Sequence, residues 1–303
     1  MIYDLFCFFN ELDVLHERLN YLYQYVDKFV ICESNVTHTG MSKPFVFEEN
    51  QERFLKFKSK IIYLKFFGVK HDNAWVNENL QRNFILNQVN FEIDDKIIIS
   101  DVDEIPSENF IKKLVSYNGN EILISIQELS FFWPNYKRSD MPYWIGGSRA
   151  FNYNRLKNLK YLNKEYSSTY LRLLNKGNTL TKIRLTNIGL PIVDGGWHLS
   201  YMGGKKAIEK KIISFAHIEL NEKIGSNVTN HLNEFLINEK DFFKENERYL
   251  INGSFKSYIL KNKKSSVNKF TTAINFKWHF IKNKLILKIL LKRYAKKLLL
   301  WSK

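Results

Sequence analysis

Asp101 and Asp103 stand one residue apart in the segment Asp101-Val102-Asp103-Glu104-Ile105-Pro106, directly after the apolar run Ile97-Ile98-Ile99-Ser100. Two carboxylates at that spacing on a strand end can both approach one hard divalent ion, Mn²⁺ or Mg²⁺, which takes oxygen ligands and bridges readily to a diphosphate. An ion held there neutralises the charge that builds on a leaving nucleotide diphosphate. An acidic turn after a strand is also common without any metal. Position favours chemistry here, because ligands of an open α/β sheet bind beyond the carboxyl ends of its strands. Pro106 and Ser107 then turn the chain into a following helix, which fixes the loop.

The elements that must place this segment are readable by periodicity. Residues 2–9 (IYDLFCFF) read as a buried strand, and Leu12, Leu15, Leu19, Leu22 and Val26 recur at helical spacing after it. Residues 28–33 predict a second strand, 61–67 a third, 75–91 a helix and 96–100 the fourth strand. Strands alternating with helices over the first hundred residues predict βαβ units and a mostly parallel, Rossmann-like sheet with flanking helices. Residues 121–133 and 143–153 are strand-rich, and residues 180–201 read as strands and turns with Gly195-Gly196 as a tight bend. Helices dominate from about Lys205.

Charge is distributed unevenly. The chain has 303 residues and a net charge of +15, yet no Asp or Glu follows Glu247 while 15 Lys and Arg do. Residues 1–247 therefore carry 31 basic and 31 acidic side chains, and the whole excess sits in the tail. A neutral body with a basic tail argues for a local polyanion contact and against a nucleic-acid groove across the fold. The two cysteines, Cys7 and Cys32, lie in apolar runs and read as free buried thiols of a reducing compartment. No secretory signal and no membrane-spanning run is expected.

Several collinear segments resemble glycosyltransferase family 17, the family of the β-1,4-mannosyl-glycoprotein β-1,4-N-acetylglucosaminyltransferases. They are Phe8-Phe9-Asn10-Glu11 with Asp13 and Arg18; Val26-Asp27-Lys28-Phe29-Val30 with Glu33-Ser34-Asn35; Thr39-Gly40, Lys43-Pro44 and Arg53-Phe54; Trp75, Glu78 and Arg82; Asp101 to Pro106; and Gly195-Gly196-Trp197-His198-Leu199-Ser200-Tyr201. Phe215-Ala216-His217-Ile218-Glu219 looks like the bacterial branch of the family. The resemblance spans roughly residues 1–220 and omits the tail. It implies a GT-A fold, a UDP-sugar donor (UDP-N-acetylglucosamine by family expectation), inversion at the anomeric carbon, and metal and donor handling by Asp101 and Asp103.

Further candidates follow from that implied fold. His198, behind two glycines, is a candidate third metal or diphosphate ligand, since neutral imidazole suits Mn²⁺; a histidine hydrogen-bonded in a turn is the alternative. The glycines would let the backbone approach a ligand. Trp197 either stacks on a sugar face or packs in the core. Inversion requires a base for the acceptor hydroxyl, and Asp194 leads, with Glu219 and Glu128 as rivals. Asn10, Glu11 and Glu33, at the ends of the first two strands, fall on the rim that would cradle the nucleoside. Arg82 and Arg53 pair either with the diphosphate or with helix acids. His217 with Glu219 reads equally as a metal or acceptor contact or as a structural pair on a helix.

The chain divides on this reading into a catalytic domain, residues 1–250, and a basic appendage, residues 251–303, whose segment 252–270 is rich in Lys, Asn and Ser. In residues 277–303, Lys284, Lys288, Lys292 and Lys296 oppose Leu287, Leu290, Leu291, Tyr294, Leu298 and Trp301. A basic amphipathic helix of this kind rests on an anionic bilayer surface; the alternative is docking of its leucines on the body. The expectation is a glycosyltransferase at the inner face of the cytoplasmic membrane, acting on a glycan or glycolipid acceptor such as a surface polysaccharide or lipopolysaccharide. A nucleotidyl or phosphoryl transferase is the enzymatic alternative, although no phosphate-binding glycine loop is present. A membrane-bound carbohydrate-binding protein is the non-catalytic one.

Overall fold

A computed structural model describes residues 1–68, 74–119, 121–131, 136–138, 143–144, 147–154, 189–203, 205–214 and 249–251. The first βαβ unit is β1 (Ile2–Phe8), α1 (Leu12–Leu22) and β2 (Lys28–Ser34). A short helix α2 (Val46–Glu49) and a 3₁₀ helix (Gln51–Lys60) lead to β3 (Ile61–Phe66), and α3 (Ala74–Gln88) leads to β4 (Lys96–Asp101). The four strands, α1 and α3 match the periodicity of the sequence. The 3₁₀ helix does not show in it, because only Phe54 and Phe57 of its ten residues are buried. Strand β5 (Glu104–Pro106), helix α4 (Glu108–Ser116), β6 (Ile122–Phe131), β7 (Tyr136–Arg138), β8 (Tyr143–Trp144), β9 (Arg149–Asn152), β10 (Gly189–Ser200), α5 (Lys205–Ser214) and β11 (Tyr249–Ile251) follow.

One sheet runs β3-β2-β1-β4-β9-β6-β7-β11, with β10 paired to β6 and β5, and β8 paired to β6. The half that carries the site, β3-β2-β1-β4, is parallel throughout. β9 is antiparallel between β4 and β6, and β10 runs parallel to β6. In register, Cys7 of β1 is level with Asp101 of β4, and Phe8 is level with Glu33 of β2. The carboxyl ends of these three strands therefore lie side by side, as an α/β sheet with its loops on one rim requires.

Side-chain alternation divides the core between the two faces of the sheet. Phe6, Ile31 and Ile98 pack with Leu15, Leu19 and Leu22 of α1, Phe57 and Phe110. Tyr3, Leu5, Val30, Ile97 and Ile99 pack on the other side with Ile85 of α3. Cys7 and Cys32 are free thiols, and Cys32 is buried. α4 begins at Ser107, whose hydroxyl accepts from the Phe110 N–H at 3.2 Å. That is an ordinary N-cap, and it fixes the end of the acidic loop as the Pro106-Ser107 pair predicts.

The expected tight bend at Gly195-Gly196 is instead the middle of strand β10, beyond a register shift between Ile192 and Gly196. The glycines are required by the approach of the protein's own backbone, not of a ligand. A Cβ on Gly195 would sit 2.4 Å from Ser125 Oγ, and one on Gly196 (φ 139°) 2.0 Å from the Ile105 carbonyl oxygen. Only glycine lets β10 pass this close to β5 and β6. Residues 252–303, with the basic segment and the amphipathic pattern of 277–303, lie outside the described residues, and β11 joins the sheet through β7.

Candidate functional site

The acidic loop is held from beneath by Arg18. In α1 this arginine replaces an apolar residue on the buried stripe, and it is fully buried. Its guanidinium donates to both carboxylate oxygens of Asp4 at 2.6 and 2.8 Å and to Ser100 Oγ at 2.5 Å. It also donates to the carbonyl oxygens of Asp101, Val102 and Glu104 at 3.0, 3.2 and 2.8 Å. A rigid planar fork suits this task, since several donors must be presented in fixed directions. Glu104 closes the loop from within. Its carboxylate accepts from the Asp101 N–H at 2.9 Å and from Trp144 Nε1 at 3.0 Å.

The turn then feeds β5 into an antiparallel pairing with β10, in which His198 is level with Glu104. The Leu199 N–H donates to the Asp103 carbonyl at 2.8 Å. This pairing brings His198 Nε2 to 3.7 Å from Asp103 Oδ1. Lys211 of α5 reaches the same carboxylate, with Nζ 2.8 Å from Asp103 Oδ2 and 3.2 Å from Glu11 Oε1. Burial alone would raise the Asp103 carboxyl, but the Lys211 ammonium and then His198 hold it well below the usual carboxylate range. Burial likewise opposes the charge of Lys211, and Asp103 followed by Glu11 keeps the ammonium well above its ordinary value.

Asp101 has a different partner. Arg82 of α3 donates to its Oδ1 at 2.6 Å and also pairs with Glu78 one helical turn back. Glu78 in turn lies 3.9 Å from His38 Nδ1. The guanidinium is buried, which disfavours its charge, but Asp101 and Glu78 together hold it strongly protonated. Arg82 thus orients the first aspartate of the pair. Arg53 makes a surface pair with Asp13 at 2.6 Å, far from this arrangement in role.

The remaining sequence candidates divide. Glu11 and Asn10 sit at the end of β1 beside Asp103's counter-ion, and the Asn10 N–H donates to Glu11 Oε2 at 3.1 Å. Glu33 is on the expected rim but faces inward. Its carboxylate accepts from Lys43 Nζ, the N–H groups of Val46 and Phe47, and Tyr63 OH, at 2.6 to 3.0 Å. Those four donors assign it to holding α2 and the β2 loop, not a nucleoside. Trp197 packs edge-on against Tyr21 of α1 at 5.5 Å between ring centroids and joins the core. The aromatic ring beside His198 is Trp144, at 5.0 Å.

Of the base candidates, Glu128 and Asp194 are not brought to the pair. Glu128 is level with Trp197 in the β6–β10 register, so by strand alternation it shares that residue's face and not the face of His198. Asp194 lies in the β10 irregularity with φ 55°, its carbonyl accepting from Ser107 Oγ at the start of α4. Burial raises its carboxyl. Three residues of strand separate it from His198. Glu219 and His217 lie outside the described residues.

The sequence reading missed Glu104, Trp144, Lys211 and the bracing by Arg18. Only Arg18 left a signal, a charge at a position of α1 where the helical stripe calls for an apolar side chain.

Among the described residues, no three His, Cys, Asp or Glu side chains converge to form a complete metal centre. Asp103 and His198 nevertheless suit a divalent ion that takes the rest of its ligands from water and phosphate, the habit of Mg²⁺ in phosphate sites. Two observations support that fit. His198 Nε2 lies 3.7 Å from Asp103 Oδ1, and the position beside Asp103 and Glu11 already holds a cation, the Lys211 ammonium.

The chain's first half matches a known family. The sequence profile described as Glycosyltransferase family 17 matches residues 1–154, which include Arg18, Arg82, Asp101 and Asp103. Proteins named beta-1,4-mannosyl-glycoprotein 4-beta-N-acetylglucosaminyltransferase from Homo sapiens and Mus musculus are 32% and 31% identical over 121 residues, 36% of this chain. The chain covers only 22% of the length of each. Among solved structures, a 4-diphosphocytidyl-2C-methyl-D-erythritol synthase aligns at 12% identity and TM-score 0.37, over 68% of this chain and 90% of that one. An inositol-1-phosphate CTP transferase from T. maritima aligns at 14% and 0.39, over 64% and 85%. Both likenesses are too loose to carry an argument.

Proposed function

Because the chain belongs to glycosyltransferase family 17, we propose that it moves a sugar from a nucleotide-diphosphate donor to a glycan or glycolipid acceptor, with Asp103 and His198 holding Mn²⁺ or Mg²⁺ against the diphosphate. The observation that carries this reading is the meeting of Asp103, in the turn after β4, and His198 of β10, 95 residues apart in sequence, at the carboxyl rim of the parallel strands. A bound divalent ion would supply Lewis-acid neutralisation of the departing diphosphate.

The protein's own groups do the rest. Arg18 and Glu104 fix the backbone of the loop, so that Asp103 is presented without reorganisation. Arg82 orients Asp101 at the adjacent position. Trp144, held by Glu104, offers an aromatic face next to His198 on which a sugar or base can rest. N-acetylglucosamine from UDP-N-acetylglucosamine is the proposed donor sugar, in line with the names of the mammalian relatives. A surface polysaccharide or lipopolysaccharide acceptor, and residence on an anionic membrane through residues 277–303, belong to the same proposal. No helix among the described residues is long and apolar enough to cross a membrane.

The test is nucleotide release from a panel of UDP-sugars, with and without Mn²⁺. Release of UDP from one sugar nucleotide, abolished by a chelator and restored by Mn²⁺, is the expected result. Incorporation of a nucleotide monophosphate with release of pyrophosphate would instead identify a nucleotidyltransferase.

A further inference from the structure

Lys211 stands where no motif placed it. Helix α5 turns its ammonium inward to 2.8 Å from Asp103 Oδ2 and 3.2 Å from Glu11 Oε1, and 5.5 Å from the centroid of the Tyr201 ring. The same helix buries Ile208 and Ile212, and its Ile213 carbonyl accepts from Thr39 Oγ1 of the loop after β2 at 3.2 Å. The helix is thus anchored on both sides of the rim, with the lysine between the two carboxylates.

We propose that the Lys211 ammonium is a resident counter-ion of Asp103, competing with the divalent cation for that carboxylate, so that metal binding must displace it. The proposal rests on the reading of Asp103 and His198 as a metal half-site. Its physical basis is that two cations a few ångströms apart in a site shielded from water repel strongly, and that Asp103 Oδ2 is already taken at hydrogen-bond distance. A second consequence is protection. Without Lys211, the buried carboxylate of Asp103 and the part-buried carboxylate of Glu11 would lie close together with no cation between them, and like charges held near one another away from water repel.

Titration of Mn²⁺ alone into the full chain, with free Mn²⁺ read from its electron paramagnetic resonance signal, tests this without any turnover. Lys211→Met is expected to bind Mn²⁺ at least tenfold more tightly than the wild type, and Lys211→Arg, which restores a cation, no more tightly than the wild type. Lys211→Gln, which keeps a hydrogen-bond donor to Asp103 without the charge, is the second variant should the methionine protein fail to fold, and it too is expected to bind more tightly. Wild-type affinity or weaker in the folded neutral variants, or no binding by them at millimolar Mn²⁺, would overturn the proposal. Addition of Asp103→Asn separates the two readings. Binding that this change abolishes, yet that is equal in wild type and Lys211→Met, removes the counter-ion role alone; binding that it leaves intact removes the metal half-site and this proposal with it.

Discussion

Replacement of Asp103 by asparagine is expected to lower sugar transfer by about a thousandfold while the protein stays folded. A metal ion contributes several kcal/mol of transition-state stabilisation, and about 4 kcal/mol corresponds to that factor. Asparagine keeps the shape of the side chain and an acceptor for Lys211, so the stability loss should be modest, about 1–2 kcal/mol for one weakened buried contact. UDP release and urea unfolding on the same preparation check both halves. Asp103→Ala should show the same loss of transfer with a larger loss of stability, because it leaves the Lys211 ammonium with Glu11 alone. Wild-type turnover in either folded variant would remove Asp103 from the site.

The second large effect is expected at Arg18, which is fully buried beneath the acidic loop. Arg18→Met should destabilise the protein by about 3–5 kcal/mol, the usual result of breaking a buried pair from one side. That is a large part of the roughly 5–15 kcal/mol that keeps a domain folded. The double variant Arg18→Met with Asp4→Leu separates two roles of the arginine. It removes the stranded carboxylate of Asp4 and should recover much of the stability. It cannot restore the donors to the carbonyls of Asp101, Val102 and Glu104. Transfer should therefore stay at least tenfold down even when stability returns. A double variant that recovers both together would show that the arginine supports the fold without presenting the loop.

The first four strands, α1 and α3 were legible because each buries an apolar face whose period is set by its own backbone. The place of Asp101 and Asp103 at the end of β4 was legible for a related reason, since a short spacing at a strand end is local information; that Arg82 pairs with Asp101 was not. What was not legible depends on partners far along the chain. Lys211 is one of several lysines in a helix, and nothing in its neighbourhood distinguishes the one that turns inward to Asp103. Trp144 occupies a two-residue strand whose place is set by pairing with β6. Trp197 and Glu128 were credible from their company in the sequence, but the pleat of β10 and β6 turns them to the face opposite His198. Gly195 and Gly196 did mark a close approach, but to β5 and β6, which only the three-dimensional pairing reveals. Glu33 looked like a rim ligand because its four donors come from Lys43, Val46, Phe47 and Tyr63, ten to thirty residues away.

The most direct measurement is pulsed electron paramagnetic resonance of Mn²⁺ bound to the protein together with UDP. The predicted spectrum carries a nitrogen coupling that disappears in His198→Ala and a phosphorus coupling from the diphosphate. Mn²⁺ coupled to phosphorus alone, unchanged by loss of His198 or by Asp103→Asn, would place the metal elsewhere and contradict the account.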